Sequence, residues 1–167
     1  ESFTSPEDRA SVESPVMKYH MRSNRMYLQA KEDGSIGTAE IMNIVKRYFR
    51  EPRDFDAALR LSQITQGYGI QYGAEGWRRE MPASMGCVYW QYNDCWPGSS
   101  WSSVDYFGCW KALHYLARRF YAPVMVSSVT SGSNTTAEIH VTSDRMQDAR
   151  GTVAWKLTDL GGAPLLE

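Results

Sequence analysis

Cys87-Val88-Tyr89-Trp90-Gln91-Tyr92-Asn93-Asp94-Cys95-Trp96-Pro97-Gly98-Ser99-Ser100-Trp101-Ser102-Ser103-Val104-Asp105-Tyr106 is the stretch on which the fold of this chain turns. Gly86 to Trp90 reads as a short buried strand: it is apolar, β-branched and aromatic, and it follows the breaker Met81-Pro82. Polar residues Gln91, Asn93 and Asp94 come next, then Trp96-Pro97-Gly98, a strong turn signal. Polar and aromatic groups at the end of a buried strand, ahead of a loop and a helix, are what a β/α barrel sets at its active face. Flat aromatic faces beside amides and carboxylates suit a ligand that is apolar on its faces and hydroxylated round its rim. A sugar ring is such a ligand. The same residues also suit plain packing, because aromatics dominate ordinary cores.

On the N-terminal side, residues 1–37 read as irregular, with a short helical turn or extended piece over Val16–Met21. Ile41, Ile44, Val45, Tyr48 and Phe49 follow helical spacing, which predicts an amphipathic helix over 38–49 with Thr38 as its N-cap. Glu51-Pro52-Arg53 ends it. A second helix is predicted from Asp54 to about Arg79, with Phe55, Ala58, Leu59, Ile64, Tyr68, Tyr72 and Trp77 roughly on one face. Gly67, Gly69, Gly73 and Gly76 fall inside it, each costing about 1 kcal/mol against alanine. Such a helix either packs very closely on a neighbour or is kinked. Arg78 and Arg79 read as a solvated helix end or an ion pair.

On the C-terminal side, Cys109–Phe120 predicts a third helix with Trp110, Leu113, Leu116, Ala117 and Phe120 inward, and Asp105 capping it. Pro123 stops it. The grammar then changes to period-two alternation over 124–126, 137–141 and 152–157, separated by Ser131-Gly132-Ser133-Asn134 and Asp148-Ala149-Arg150-Gly151. These short strands read as the start of a β-sandwich, and the boundary is set at about 122/123. A sandwich takes about seven strands; about three fit here, so the second domain reads as cut off.

Composition narrows the classes. The 167 residues carry 43% hydrophobic side chains, ample for a core, and 18 basic against 19 acidic groups. That balance gives no electrostatic reason to expect nucleic acid or an anionic membrane as partner. No stretch reaches the ~18–20 apolar residues of a membrane span, and Glu1 to Arg9 shows no apolar leader. Cys87, Cys95 and Cys109 lack any zinc spacing and read as buried thiols. His20, His114 and His140 share no motif, and none is assigned to catalysis. Asn134-Thr135-Thr136 is an N-glycosylation sequon in a turn and leans towards a secretory or lysosomal route.

Residues 73–128 closely resemble the β-mannosidases of glycoside hydrolase family 2. The matching pieces are Trp77-Arg78-Arg79 with Met81-Pro82, then Tyr89-Trp90-Gln91 with Asn93-Asp94-Cys95-Trp96-Pro97. Ser100-Trp101-Ser102-Ser103, Asp105-Tyr106 and Trp110-Lys111-Ala112-Leu113-His114-Tyr115 continue the match. Phe3 to Arg9 and Ser14 to His20 are similar to that family too. The chain departs from it at Cys109, where a basic residue is usual, and in its glycine-rich second helix.

The resemblance implies a retaining exo-glycosidase that removes terminal non-reducing β-D-mannose without a cofactor or metal. The implied fold is the C-terminal portion of a (β/α)8 TIM barrel (1–122), followed by the first strands of an immunoglobulin-like β-sandwich (123–167). Residues 1–122 would supply the loop after strand seven, its helix, strand eight (Gly86 to Tyr92) and the last helix. Both catalytic glutamates of the family lie on strands four and seven, so neither is expected in this chain. Glu1 does not match the nucleophile strand. The isolated segment is therefore expected to be inactive, with the rest of the parent polypeptide and a β-mannoside oligosaccharide or glycoprotein glycan as its partners. Trp90 is the first candidate for the sugar subsite, as an apolar wall; Asn93 and Asp94 follow as hydrogen-bonding groups, then Trp96 and Trp101. A non-catalytic carbohydrate-binding module and another exo-β-glycosidase of the same family are the alternatives.

Overall fold

The computed structural model describes residues 3–21, 36–130, 132–133 and 136–166. Glu1, most of the sequon Asn134-Thr135-Thr136 and the stretch 22–35 lie outside the described residues. The chain forms two compact units, Glu1–Phe120 and Tyr121–Glu167.

The first unit is helical. A 3-10 turn at Asp8–Ala10 precedes helix α1, Pro15–His20. Ser14 caps α1 by accepting from the Met17 amide, and Pro15 starts it where a missing N–H costs nothing. Helix α2 spans Ile36–Tyr48, so it begins two residues before the expected N-cap. Thr38 is buried in the first turn and is not the cap. The apolar seam is also narrower than its sequence spacing predicts. Val45 is fully buried with Ile41 and Phe49 half-buried, whereas Ile44 and Tyr48 are exposed.

Helix α3, Phe55–Arg79, has the expected extent, and Asp54 caps it by accepting from the Ala57 amide at 2.7 Å. Its buried positions are Ala58, Gly67, Ala74 and Arg78, while Tyr68, Tyr72 and Trp77 face out. Close approach to helix α4, Ala112–Phe120, explains one glycine: a Cβ on Gly67 would stand 2.6 Å from Leu116 Cδ1 and 3.5 Å from the Leu113 amide nitrogen. Gly69, by contrast, has open space around it. The two helices run in the same direction. Gln63 accepts from the Ala112 amide at the start of α4, and Arg78 Nη1 donates to the Phe120 carbonyl at its end, at 2.7 Å. Arg78 is therefore a buried clasp and not a solvated helix end; Arg79 does pair, with Glu75 at 3.9 Å.

The segment between these parallel helices differs most from expectation. Residues 84–89 belong to no helix or strand, and Val88 is 95% exposed. A strand is buried by neighbours on either side, and among the described residues 86–90 belong to no ladder. Pairing starts only at Gln91 and Tyr92, whose carbonyls accept from the Ser103 and Val104 amides. Helix α4 starts three residues later than Cys109. Asp105 instead caps a tight turn, accepting from the Phe107 and Cys109 amides around Gly108 at φ +83°. Trp110 thus precedes the helix and is exposed, and the buried stripe is Leu113, Ala117 and Phe120. Cys95 and Cys109 are exposed and Cys87 half-buried, which corrects the expectation of three buried thiols.

In the second unit, β1 (Val124–Thr130) pairs antiparallel with β2 (Ala137–Ser143), from Val124 opposite Ser143 to Thr130 opposite Ala137. β3 (Leu157–Thr158) pairs with β4 (Pro164–Leu166) across a turn in which Asp159 accepts from the Gly161 and Ala163 amides. Gly162 takes φ +89° there, a conformation other residues resist. The strand expected over 152–157 is present only at Leu157, because residues 152–156 find no ladder partner among the described residues.

Candidate functional site

The loop from Trp90 to Lys111 is built around buried polar groups, with most of its aromatics exposed. Two short carbonyl–amide links fold it back on itself: Val104 N donates to Tyr92 O at 2.8 Å, and Lys111 N to Ser103 O at 2.9 Å. A third tie crosses from α3, where Gln66 Nε2 donates to the Trp101 carbonyl at 2.7 Å.

Inside the loop sits Asp94, 4% exposed. Its Oδ2 accepts from Ser100 Oγ at 2.8 Å, Ser102 Oγ at 2.5 Å and Lys111 Nζ at 3.3 Å. Lys111 Nζ also donates to Ser102 Oγ at 2.8 Å and to Ser100 Oγ at 3.3 Å. A buried ion pair survives only when further hydrogen bonds complete both partners, and the two serines do so here. Beside it, Ser103 Oγ accepts from Tyr89 Oη at 2.8 Å and donates to the Tyr92 carbonyl at 2.9 Å. With that hydroxyl proton committed, the 3.2 Å contact to His114 Nδ1 is one in which the imidazole donates.

The sequence candidates divide by which way they face. Trp90 stands 74% exposed just after residues 84–89, and the Trp90–Gln91 peptide is cis. Asn93 is exposed; its carbonyl accepts from Gln91 Nε2 at 2.8 Å. Asp94 turns inwards to the network just described. Trp96 stacks on His20, with ring centroids 4.7 Å apart and planes 19° apart. Phe3 stacks on the imidazole at 4.4 Å. His20 Nδ1–H donates to the Pro97 carbonyl at 2.6 Å. Trp101 is half-buried. Trp90 and Asn93 are thus the outward pair, and Trp96 and Trp101 share their surfaces with the protein.

Among the described residues, no three His, Cys, Asp or Glu side chains gather in a way that could hold a metal ion, and no helix is long and apolar enough to cross a membrane.

β-Mannosidase A of Aspergillus oryzae is 31% identical over 171 residues, 96% of this chain and 19% of that protein. β-Mannosidase A of Emericella nidulans is 34% identical over 145 residues, 81% of this chain and 15% of its own length. Among solved structures, a β-D-mannosidase from Dictyoglomus thermophilum matches with a TM-score of 0.73 at 27% identity, over 87% of this chain and 16% of that one. The chain is homologous to the β-mannosidases. It spans about a fifth of the length of the curated relatives it matches, 19% for the Aspergillus oryzae protein. No family model matches it. An exo-chitosanase of Amycolatopsis orientalis, 16% identical with a TM-score of 0.53 over 79% of this chain, is a likeness of fold alone.

The resemblance carried by Tyr89-Trp90-Gln91 and Asn93 to Pro97 is therefore borne out at the level of β-mannosidase relatives. Residue-by-residue reasoning nonetheless passes over His20, Ser100, Ser102, Ser103, Lys111 and His114. Two of them act through a partner far away in sequence, His20 meeting Pro97 and Trp96 and Lys111 meeting Asp94, while Ser100 and Ser102 meet Asp94 within the loop. The one available signal is a lysine between Trp110 and a helix start, where a balancing carboxylate is needed if the side chain is not to face water.

Proposed function

We propose that this chain is part of a retaining exo-glycosidase acting on terminal non-reducing β-D-mannose, and that it supplies the end of a (β/α)8 barrel and the first strands of an immunoglobulin-like sandwich. The observation that carries the reading is the pair of parallel helices joined through a segment that carries Trp90. α3 and α4 run parallel, residues 84–90 between them belong to no ladder, and Trp90 and Asn93 are exposed where that segment ends. Helices running the same way on either side of a strand are the repeat of a β/α barrel, and the strand's C-terminal end is where such barrels work. In this reading α3 precedes strand eight, residues 86–92, and α4 follows it.

The site then divides its work. Trp90 offers an apolar wall for the ring of the terminal sugar, and the Asn93 amide offers hydrogen bonds to its hydroxyls. The chemistry requires two carboxylates about 5–5.5 Å apart. Asp94 is engaged by two serines and a lysine, and Asp105 by two turn amides, so neither is free to serve. The nucleophile and the acid/base come, in this reading, from the remainder of the parent polypeptide.

The purified 167-residue chain should give no turnover of an aryl β-mannoside. The same chain within a protein of its relatives' length should hydrolyse it, and Trp90→Ala should lower kcat/KM at least about tenfold, or ~1.4 kcal/mol of transition-state binding. Turnover by the short chain would refute the division of labour. Mannoside binding without turnover by the full-length protein would instead favour a non-catalytic carbohydrate-binding module. Preference for another β-glycoside would favour a different exo-glycosidase.

A further inference from the structure

We propose that Lys111 is the positioning residue of this sugar-facing loop: it holds the Asp94 carboxylate inside, and so turns Asn93 outwards. The proposal rests on the glycosidase reading for its functional meaning, although its structural core does not.

Asn93 forms a bridge with Val104, and along a bridged backbone neighbouring side chains point to opposite sides. Asp94 and Asn93 therefore compete for one orientation, and whichever turns inwards sends the other out. Both are polar, and local sequence gives no preference. The decision comes from seventeen residues away. Lys111 Nζ places its three donors on Asp94 Oδ2, Ser100 Oγ and Ser102 Oγ. Both serine hydroxyls pass their own protons to the same carboxylate oxygen. The ammonium and hydroxyl protons thus run from Lys111 towards Asp94, and the Ser102 amide adds a bond to Ser100 Oγ at 3.1 Å. The side chains are 13% and 1% exposed, so the pair is shielded from solvent and from salt. The backbone on both sides is tied as well, through Asp94 N to Val104 O and Lys111 N to Ser103 O.

Without the ammonium, the buried carboxylate loses the cation that faces its Oδ2 and keeps the two serine hydroxyls there. It escapes by rotating into water, and Asn93 rotates in. Lysine is specifically suited, because a compact ammonium presents three donors in a cone whereas a guanidinium is a planar fork.

The test begins with the 167-residue chain and the indole N–H signals of its tryptophans in 1H–15N spectra. Lys111→Met should shift the Trp96 and Trp101 signals and leave that of Trp155, in the other unit, in place. Lys111→Met combined with Asp94→Asn removes the charge that drives the rotation, and the two signals should return towards their original positions. Unchanged signals in the single variant would overturn the proposal. So would a double variant as disturbed as the single one, since that result would put the effect in the lysine stem's packing. Where Lys111→Met alone does not fold, the double variant decides: a native-like spectrum supports charge expulsion and an unfolded one overturns it. In a protein of the relatives' length, Lys111→Met should raise KM for an aryl β-mannoside about tenfold with kcat within about threefold. A fall in kcat at unchanged KM would overturn the positioning role. An unmutated protein without turnover would instead defeat the glycosidase reading, and the spectra would still decide Lys111.

Discussion

Gly98 is the point at which the candidate site can be unlatched by a single carbon atom. A Cβ built there falls on the His20 carbonyl oxygen, and stands 3.1 Å from the carbonyl carbon and 3.2 Å from the His20 Cβ. The obstacle is backbone, so no rotamer change relieves it. Gly98→Ala leaves the loop two ways out: to force α1 away, or to let go of His20. Letting go forfeits the Trp96–His20 stack, about 0.5–1.5 kcal/mol, and the hydrogen bond to Pro97, about 0.5–1.5 kcal/mol net. Against this loss of roughly 1–3 kcal/mol stands a gain of about 0.4–1 kcal/mol from a less flexible unfolded chain. The expected net destabilisation is about 1–2 kcal/mol. Urea unfolding followed by tryptophan fluorescence measures it, with Gly86→Ala as the control, since nothing lies within 4 Å of a Cβ at that position. His20→Ala removes the stack and the bond in advance, so Gly98→Ala should cost less in that background, a non-additivity expected of residues in contact. Equal stabilities for Gly98→Ala and Gly86→Ala would refute the reasoning. Strict additivity with His20→Ala would refute its second half.

The helices make further expectations. Gly69→Ala, in open space on α3, should gain about 0.8–1 kcal/mol and raise the thermal midpoint by about 3 °C. Gly67→Ala should fall at least about 1 kcal/mol short of it, because Leu116 must move to admit the methyl group; calorimetry of the two variants measures the difference. Arg78→Met keeps the apolar stem but leaves the Phe120 carbonyl without its charged donor, an expected loss of about 1.5–3 kcal/mol by denaturant titration. The Asp54 carboxyl lies below its ordinary pKa, chiefly because it accepts the Ala57 N–H, with Arg53 adding to the effect. A depressed folded value gives stability that is complete above the unfolded pKa, ~3.9, and lost as pH falls through the folded value. Helicity at 222 nm should therefore decline below about pH 4, and Asp54→Asn should flatten that part of the acid titration.

Helix α3 is legible in the sequence at its ends but not on its faces, and the two have different physical origins. Its start is set by Asp54 and its own amides, a local matter that any reader of the chain can see. Its buried face is set by what packs against Gly67, and α4 lies more than forty residues on. The aromatic stripe Tyr68, Tyr72 and Trp77 has the right period for a core and still faces out. Residues 86–92 show the same limit. Val88, Tyr89 and Trp90 are the residues of a ladder, but a ladder needs partners, and composition cannot supply them. In the loop the sequence marks the right twenty residues and leaves open which of them turn inwards. Asp94 goes in and Asn93 out because Lys111 returns to meet the first, and no property of the Asn-Asp pair encodes that.

Polar and apolar groups in this chain are treated very differently, and the difference bears on what the chain is part of. The hydroxyls and charges of the 90–111 loop are matched to partners within the loop and α4, as buried polar groups must be. Large apolar side chains are not so treated: Val88, Trp90, Tyr68, Tyr72, Trp77 and Met85 all face out. Scattered exposed hydrophobes are ordinary, but contiguous ones mark a surface made to be covered. Gly86, Val88 and Trp90 are exposed on a segment that also belongs to no ladder, and a strand on either side would answer both. A free-standing binding module would need to expose one aromatic face for its ligand and would gain nothing from an exposed Val88 beside it. The barrel reading accounts for both features at once: strands cover Val88, and only Trp90 and Asn93, at the segment's end, remain for the sugar.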